Sequence, residues 1–216
     1  MKEVSIKTVY IFLVIFGIVF STQAQELKTI QLLPPDMGSG KSLMQALSER
    51  KSSREFSERE LPLQEISSLL WAANGLNRPS EGKHTAPSAK NWQDIDIYVV
   101  LKAGVYLYDA VVSQLKPIID GDFRSFAGTQ EFVAKAPVNQ VYISDYERIK
   151  DAKEENKPTY AASDAAFVAE NVYLYCASAN LAVVVRASVD KEKLAEVLKL
   201  NSTRKIILAQ TVGYPK

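Results

Sequence analysis

Three cations and two hydroxyls fall within five consecutive residues, Arg50-Lys51-Ser52-Ser53-Arg54. Recognition of a phosphate dianion requires this combination, because cations neutralise its charge while forked arginine donors and hydroxyls bond its oxygens. A solvated helix end has a similar composition, and the glutamates on either side of the segment fit that alternative. The segment is therefore a candidate phosphate-binding site, and a solvated helix end is the alternative.

A second candidate is the stretch from His84 to Asn91, which contains small residues and Pro87. Small residues let the backbone approach a flat ligand closely, and an asparagine amide can bond the polar edge of a ring. An ordinary polar loop is the alternative. His84 is the single histidine of the chain, so a histidine general base could only be this residue.

A third candidate is Arg186-Ala187-Ser188, which follows an apolar segment predicted to be a strand. The end of a strand can present a backbone amide to a ligand. The alternative is a plain turn into a helix, capped by Ser188 or Asp190.

Gly38-Ser39-Gly40-Lys41-Ser42 ends like a phosphate-binding P-loop. That motif requires glycine where Pro35 stands, and Pro34 and Pro35 both lack a backbone N–H donor. A capped helix beginning after Ser42 is the favoured interpretation, with Gln45 three residues on as the second half of a capping box.

Composition excludes several classes of protein. The chain has 216 residues, 26 Lys+Arg against 25 Asp+Glu, one His and one Cys. One cysteine cannot form an intrachain disulfide, and two Cys/His ligands are too few for a zinc site of those residues. Balanced charge argues against a nucleic-acid partner. No metal site and no catalytic acid or base is predicted.

The first 24 residues predict a secretory signal peptide. Lys2 and Lys7 precede an apolar run over 9–20, and cleavage is expected after Ala24. Twelve apolar residues are too few to span a bilayer, so no stable membrane anchor is expected after cleavage, and an uncleaved membrane anchor is the alternative. We therefore expect an exported, periplasmic protein with an N-terminal arm at 25–41 and one domain at 42–216.

The elements that must position these candidates follow from periodicity and capping. Helices are predicted over 42–50, 62–73, 160–179 and 190–198, and strands over 95–101, 105–108, 138–144, 181–185 and 205–212. A loop is predicted over 76–91, a helical end within 121–136 and an exposed excursion over 145–158. The helix over 160–179 has apolar residues all round, so it is predicted to be the buried centre, with Cys176 in the core and Asn180 as a left-handed terminus. Interspersed strands and helices indicate an α+β fold.

These segments, in this order, resemble the nitroreductase family, specifically its SagB-type oxidase/dehydrogenase subgroup. The resemblance rests on five stretches: Arg50-Lys51-Ser52-Ser53-Arg54, Leu69-Leu70-Trp71-Ala72-Ala73, Gly75-Leu76-Asn77-Arg78-Pro79 with Thr85-Ala86-Pro87-Ser88-Ala89, Gly104-Val105-Tyr106-Leu107-Tyr108, and Val212-Gly213-Tyr214-Pro215. His84 stands where the subgroup often has arginine. The adjacent Lys-Tyr pair of the subgroup's azoline oxidases is absent from the sequence.

The resemblance implies an α+β sandwich, with a central mixed or antiparallel sheet flanked by helices, and a homodimer with FMN at its interface. Carried over by position, Arg50, Lys51, Ser52 and Arg54 contact the phosphate, ribityl chain and pyrimidine edge. Pro87, Ser88, Ala89 and Asn91 line the ring from the partner subunit. Arg186, Ala187 and Ser188 meet the isoalloxazine near N5, Gln130 meets its polar edge, and Lys216 is the candidate for the last phosphate contact.

The resemblance further implies an oxidoreductase that transfers hydride through flavin N5 with a small organic substrate, such as a nitro compound or quinone, and NAD(P)H as the electron donor. The alternative is a non-catalytic dimer that holds a flavin or another flat ligand. Such a protein would need few catalytic side chains, because the flavin carries the redox chemistry.

Overall fold

A seven-stranded sheet, in which every strand pairs antiparallel to its neighbours, forms the centre of the domain. The computed structural model describes residues 27–216, so the predicted signal peptide and the first two residues of the arm lie outside the described residues. The strands are β1 Ile30–Gln31, β2 Leu76–Arg78, β3 Lys83–His84, β4 Ile95–Val100, β5 Gly104–Asp109, β6 Gln114–Asp120, β7 Val138–Asp145, β8 Ala182–Arg186 and β9 Arg204–Gly213. Their order across the sheet is β1-β6-β5-β4-β7-β9-β8, and β2 and β3 form a separate hairpin.

Helices cover both faces of this sheet. They are α1 Leu43–Glu49, α2 Leu63–Asn74, α3 Glu131–Lys135, α4 Lys157–Ser178 and α5 Lys191–Val197. Alternating residues of β4 enter two different cores: Ile97 and Val99 pack with α2 and α4, while Tyr98 and Val100 pack with α3 and α5. The period of two in a strand places successive side chains on opposite faces, so one strand contributes to both cores. The predicted α+β sandwich is confirmed.

The longest helix, α4, was predicted to be buried on all sides, and this prediction is wrong for its first half. Ala161, Ala165 and Val168 face the core, but Phe167 is 47% exposed. Its C-terminal half is more enclosed, and Cys176 is fully buried there, as predicted. Asn180 has φ 57°, the predicted left-handed terminus, and the Leu181 N–H donates to the Cys176 carbonyl at 2.8 Å.

Two local predictions are corrected. The sequence predicted no strand over 114–120, yet β6 lies there between β1 and β5; Pro117 and the exposed Lys116 masked its pattern. The predicted loop over 76–91 contains the β2–β3 hairpin.

The described part of the predicted arm packs on the domain. Ile30 pairs with Leu115, Leu32 is buried, and the Leu33 N–H donates to Ser67 at 3.0 Å. None of the helices within residues 27–216 combines the length and the apolar character that a membrane span requires.

Candidate functional site

The cationic segment lies where α1 ends and the chain turns toward the edge of the sheet. Arg50 is the C-terminal cap of α1, and its N–H donates to the Ala46 carbonyl at 2.8 Å. Three residues later the Ser53 N–H donates to the Val183 carbonyl of β8 at 2.8 Å. Arg50, Lys51, Ser52 and Arg54 are all exposed. Within residues 27–216, no carboxylate lies at ion-pair distance from Arg50, Lys51 or Arg54.

Tyr173 of α4 fixes this segment against the domain. Its phenol oxygen lies 2.7 Å from the Ser52 hydroxyl and accepts the Val185 N–H at 3.0 Å. The Arg50 guanidinium lies over the Tyr173 ring, 5.3 Å from the ring centroid. This tyrosine was not among the predicted site residues.

A groove of about 610 Å³ opens beside the segment, between α1, α4, β8 and the last two residues of the chain. Lys51 and Lys216 both line it, so the structure brings together two of the predicted phosphate contacts that are far apart in sequence. An antiparallel bridge between Phe56 and Pro215 holds the chain end there. Lys41 also lines the groove, but its ammonium is already paired with Glu49.

The predicted phosphate contacts do not all face this groove. Lys51, Ser53 and Glu55 line it, whereas the intervening Ser52 and Arg54 do not. This alternation is typical of extended backbone, in which successive side chains point to opposite sides. Arg50 is outside the groove lining as well. The segment thus presents cations on two sides.

The loop predicted to line a ring lies over the first half of α4. The Ala89 N–H donates to both carboxylate oxygens of Asp164 at 3.1 Å. The Ser88 hydroxyl accepts the Gln93 N–H at 2.9 Å, which closes the loop on itself. Pro87 and Asn91 are exposed. His84, at the start of the loop, bonds the Asn74 carbonyl through Nδ1 at 2.7 Å.

The loop and the cationic segment contact α4 at different heights. Asp164 and Tyr173 are nine residues apart, roughly 13 Å along a helix axis. None of the four predicted ring-lining residues borders the groove that Lys51 and Lys216 line. In the described part of one chain, therefore, the predicted ring-lining loop does not border the groove beside the cationic segment.

The Arg186 side chain points into the interior. Only 6% of the residue is exposed, and its guanidinium donates inward to the Ala127 carbonyl at 2.9 Å, to Asn139 Oδ1 at 3.2 Å and to Thr211 Oγ1 at 2.7 Å. Burial lowers the pKa of this guanidinium to about 10. The side chain therefore holds three elements together in the interior, and the predicted contact near N5 stays a prediction for the backbone of Arg186.

The residues beside Arg186 remain accessible. Ala187 and Ser188 are exposed, and the Ser188 hydroxyl lies 2.8 Å from that of Thr129. Gln130 is the residue after Thr129 and immediately precedes α3. Its Oε1 is buried and has no hydrogen-bond partner among the described residues.

No group of three or more His, Cys, Asp or Glu side chains within residues 27–216 is arranged to hold a metal ion.

Comparison with known proteins identifies the family. The sequence profile of the Nitroreductase family matches residues 47–214. The chain belongs to the nitroreductase family. A protein of Methanocaldococcus jannaschii that is named as a nitroreductase is 30% identical over 182 residues, which cover 80% of this chain and 91% of the relative.

Solved structures agree with this assignment. A crystal structure of a protein from Ralstonia eutropha JMP134, also named as a nitroreductase, is 44% identical with a TM-score of 0.82, and the match covers 87% of this chain and 90% of that one. The Escherichia coli microcin synthetase McbBCD complex shares the fold at 18% identity and a TM-score of 0.69, over 96% of this chain and 85% of that chain. The predicted nitroreductase identity is confirmed, and the protein is an oxidoreductase of that family.

Two buried carboxyls in this nitroreductase escaped the sequence analysis. Asp94, immediately before β4, is fully buried, and Asp164 of α4 is 2% exposed. The sequence carries one signal for them, because Asp164 lies on the helix that is predicted to be the buried centre. An acidic side chain is almost never fully buried without a partner, so its position there indicates a buried polar contact.

Proposed function

We propose that this nitroreductase is an FMN-dependent oxidoreductase that acts as a homodimer on small organic substrates such as nitro compounds or quinones. The observation that carries the proposal is the exposed cationic segment, in which Arg50, Lys51 and Arg54 lie within five residues and have no carboxylate partner among residues 27–216. Unpaired cations beside a hydroxyl are what a phosphate dianion needs.

The residues of the segment would divide the work of holding the phosphate. Arg50, Ser52 and Arg54, which do not line the groove, are the principal contacts. Lys51 and Lys216 add positive potential from the groove side, where they lie together. When bound, FMN supplies the two-electron chemistry, and the chain supplies binding, orientation and electrostatics.

The ring is proposed to lie between subunits. Pro87, Ser88, Ala89 and Asn91 would line it from the partner, since in one chain this loop lies away from the cationic segment. Ala187, Ser188 and Gln130 would meet its polar edge, the buried Gln130 Oε1 being an acceptor that still lacks a donor. For Arg186 the backbone alone is proposed as a contact.

Exposed apolar side chains support the dimer. Leu43, Met44 and Leu47 on α1 are 62%, 73% and 47% exposed, and Phe167 on α4 is also exposed. The three residues of α1 are neighbours on one short helix, and adjoining exposed apolar side chains are typical of a surface that another protein covers. A second copy of this chain is the proposed partner.

The decisive experiment is an FMN titration of the purified chain from residue 25 onward, with the flavin absorbance at about 450 nm read on the protein fraction after free FMN is removed. The double variant Arg50→Ala/Arg54→Ala is expected to weaken FMN binding by at least about 100-fold, since each charge-assisted hydrogen bond contributes about 1.5–3 kcal/mol. Lys51→Ala is expected to have a smaller effect.

The matched control removes two exposed lysines elsewhere, Lys150→Ala/Lys205→Ala, and should leave the affinity unchanged. Equal FMN affinity in the two double variants would reject the phosphate assignment. A protein that binds FMN but whose photoreduced flavin is reoxidised by no quinone, nitro compound or oxygen would instead be the non-catalytic binding dimer.

Export to the periplasm and NAD(P)H as the electron donor complete the proposal. The n-region lysines and the apolar run over 9–20 support export. Intact mass of the protein recovered from the periplasmic fraction tests it, with loss of residues 1–24 as the expected result. Steady-state reduction of the loaded flavin by NADH and by NADPH tests the donor.

A further inference from the structure

A cavity of about 350 Å³ opens between α5 and the segment that precedes α3, and we call it the α5 cavity. Its lining consists of Ser125, Phe126, Gly128, Thr129, Asp190 and Lys193. The Thr129 hydroxyl also lies 2.8 Å from that of Ser188, which is proposed to meet the polar edge of the flavin ring. The α5 cavity therefore borders the proposed ring site, yet it shares no lining residue with the groove beside the cationic segment.

Arg186 lies directly behind the wall of the α5 cavity at Gly128. A Cβ added to this glycine would lie 1.8 Å from Arg186 Nη1, so the absence of a side chain lets the guanidinium approach the backbone that lines the cavity. The guanidinium is buried, and with a pKa of about 10 it is still charged at neutral pH. A positive charge is thus held behind the cavity wall, almost out of contact with bulk water.

The charge of Arg186 has no carboxylate to balance it. Its three hydrogen-bond acceptors are all neutral groups, on Ala127, Asn139 and Thr211. Within residues 27–216 no carboxylate lies at ion-pair distance from the guanidinium, and its Nε has no hydrogen-bond partner there. Because a buried charge is normally paired, an anion close to this guanidinium would be stabilised, and the low dielectric of the interior strengthens the attraction.

The lining of the α5 cavity adds a second cation and two hydroxyl groups. Lys193 is exposed, forms no ion pair with the described residues, and holds its ammonium 5.2 Å from the centroid of the Phe126 ring. Ser125 and Thr129 provide hydroxyls that can donate to an anion. Asp190 is the acidic residue of the lining, and its carboxylate accepts the Lys193 N–H at 3.1 Å as the cap of α5. Two cations against one carboxylate leave a single net positive charge, which suits a monoanion better than a phosphate dianion.

We propose that the α5 cavity binds the carboxylate group of a small organic substrate. Lys193 bonds the carboxylate, and Arg186 attracts it through the cavity wall. The Ser125 and Thr129 hydroxyls donate to it, and the Phe126 ring offers apolar surface to the body of the substrate. Binding of the carboxylate does not depend on the flavin, whereas its part in selecting substrates rests on the proposed function.

Binding is tested first without FMN, from the amide resonances of Gly128 and Thr129 in the isotope-labelled chain from residue 25 onward. The anion para-nitrobenzoate is expected to shift both resonances to saturation. The neutral para-nitrobenzyl alcohol has nearly the same shape and should leave them unchanged, because it lacks the charge that the two cations attract.

Lys193→Ala is expected to weaken the binding of para-nitrobenzoate about tenfold, the effect of losing one charge-assisted hydrogen bond. Lys193→Arg keeps the charge and should bind nearly as tightly as the wild type. Lys205→Ala, at an exposed lysine of β9, is the matched control and should bind like the wild type. The absence of a saturable shift at Gly128 and Thr129, or equal affinity in Lys193→Ala and the control, would overturn the proposal.

A second titration, on the FMN-loaded protein, separates the α5 cavity from the flavin site. The loaded protein should bind para-nitrobenzoate with the same shifts at Gly128 and Thr129, because the flavin and the carboxylate occupy different places. Loss of these shifts on loading would assign the cavity to the flavin itself and overturn the proposal.

The role in substrate selection is measured from the rate at which each nitro compound reoxidises the photoreduced flavin. Lys193→Ala should lower the second-order rate constant for para-nitrobenzoate about tenfold and leave that for para-nitrobenzyl alcohol unchanged. An equal change for both compounds would overturn this role. If FMN never binds, the proposed function fails, while the titrations without FMN still decide whether the α5 cavity holds a carboxylate.

Discussion

The Ser52 hydroxyl lies 2.7 Å from the phenol oxygen of Tyr173, and that same oxygen accepts the Val185 N–H at 3.0 Å. One phenol therefore joins the cationic segment, α4 and β8. The position of Arg50 and Arg54 depends on this junction, because no ion pair within residues 27–216 holds either cation in place.

Tyr173→Phe is expected to lower the free energy of unfolding by about 1–2 kcal/mol, because the Val185 N–H loses its acceptor. Urea unfolding measures the change. Tyr160→Phe is the matched control, since the Tyr160 ring contacts Trp92 and its hydroxyl makes no hydrogen bond with described residues. Equal midpoints and slopes in the two variants would show that the phenol oxygen contributes nothing.

Gly128 is required by the space that Arg186 occupies. A Cβ added there would lie 1.8 Å from Arg186 Nη1, and three acceptors hold the guanidinium, so it cannot move freely. Gly128→Ala is expected to lower stability by about 1–3 kcal/mol, the range for forced overpacking.

Thermal unfolding checks this, with Gly38→Ala as control, because a Cβ at Gly38 meets only Asp36 Oδ1, at 3.7 Å. The prediction fails if both alanine variants melt at the temperature of the wild type.

The contrast between the β4–β5 hairpin and Arg186 shows what the sequence could reveal. The β-branched and aromatic residues over 95–101 and 105–108 are local signals, and they predicted both strands of this hairpin. The burial of the Arg186 side chain has no such local signal, because arginine is mostly exposed in folded proteins. Its acceptors, Ala127, Asn139 and Thr211, come from separate elements and meet only in the folded chain.

The candidate site is likewise only partly predictable from the sequence. The types and spacing of Arg50, Lys51 and Arg54 are visible in the sequence, and the structure leaves all three exposed. The meeting of Lys51 and Lys216 in one groove depends on the bridge between Phe56 and Pro215, a long-range pairing without a local signature.

Asp164 gives the stability of the protein a definite dependence on pH. The pKa of this carboxyl is about 7 in the folded protein and has an ordinary value of 3.8, so between these values the folded state binds more protons than the unfolded state. Stability from this group is therefore present below about pH 4 and is lost as the pH rises toward 7.

Asp164→Asn should flatten this slope, with a difference on the order of a few kcal/mol across the interval. Thermal unfolding from about pH 4 to about pH 8 measures it, and Asp120→Asn, at the exposed end of β6, controls for the loss of one charge. A slope in Asp164→Asn as steep as in the control would contradict the assignment.

Leu47 provides a test of the proposed dimer, because it shares one face of α1 with Leu43 and both are exposed. Leu47→Glu places a charge in the proposed apolar contact, where an unpaired carboxylate is strongly unfavourable. We expect the wild type to be a dimer in light scattering. Leu47→Glu should be a monomer that binds FMN at least about tenfold more weakly, because each site then lacks the partner's loop.

Val111→Glu, at an exposed apolar side chain in the turn between β5 and β6, is the control and should remain dimeric. A dimer in both variants would remove α1 from the interface, and a monomeric wild type that still binds FMN tightly would show that one chain completes the site.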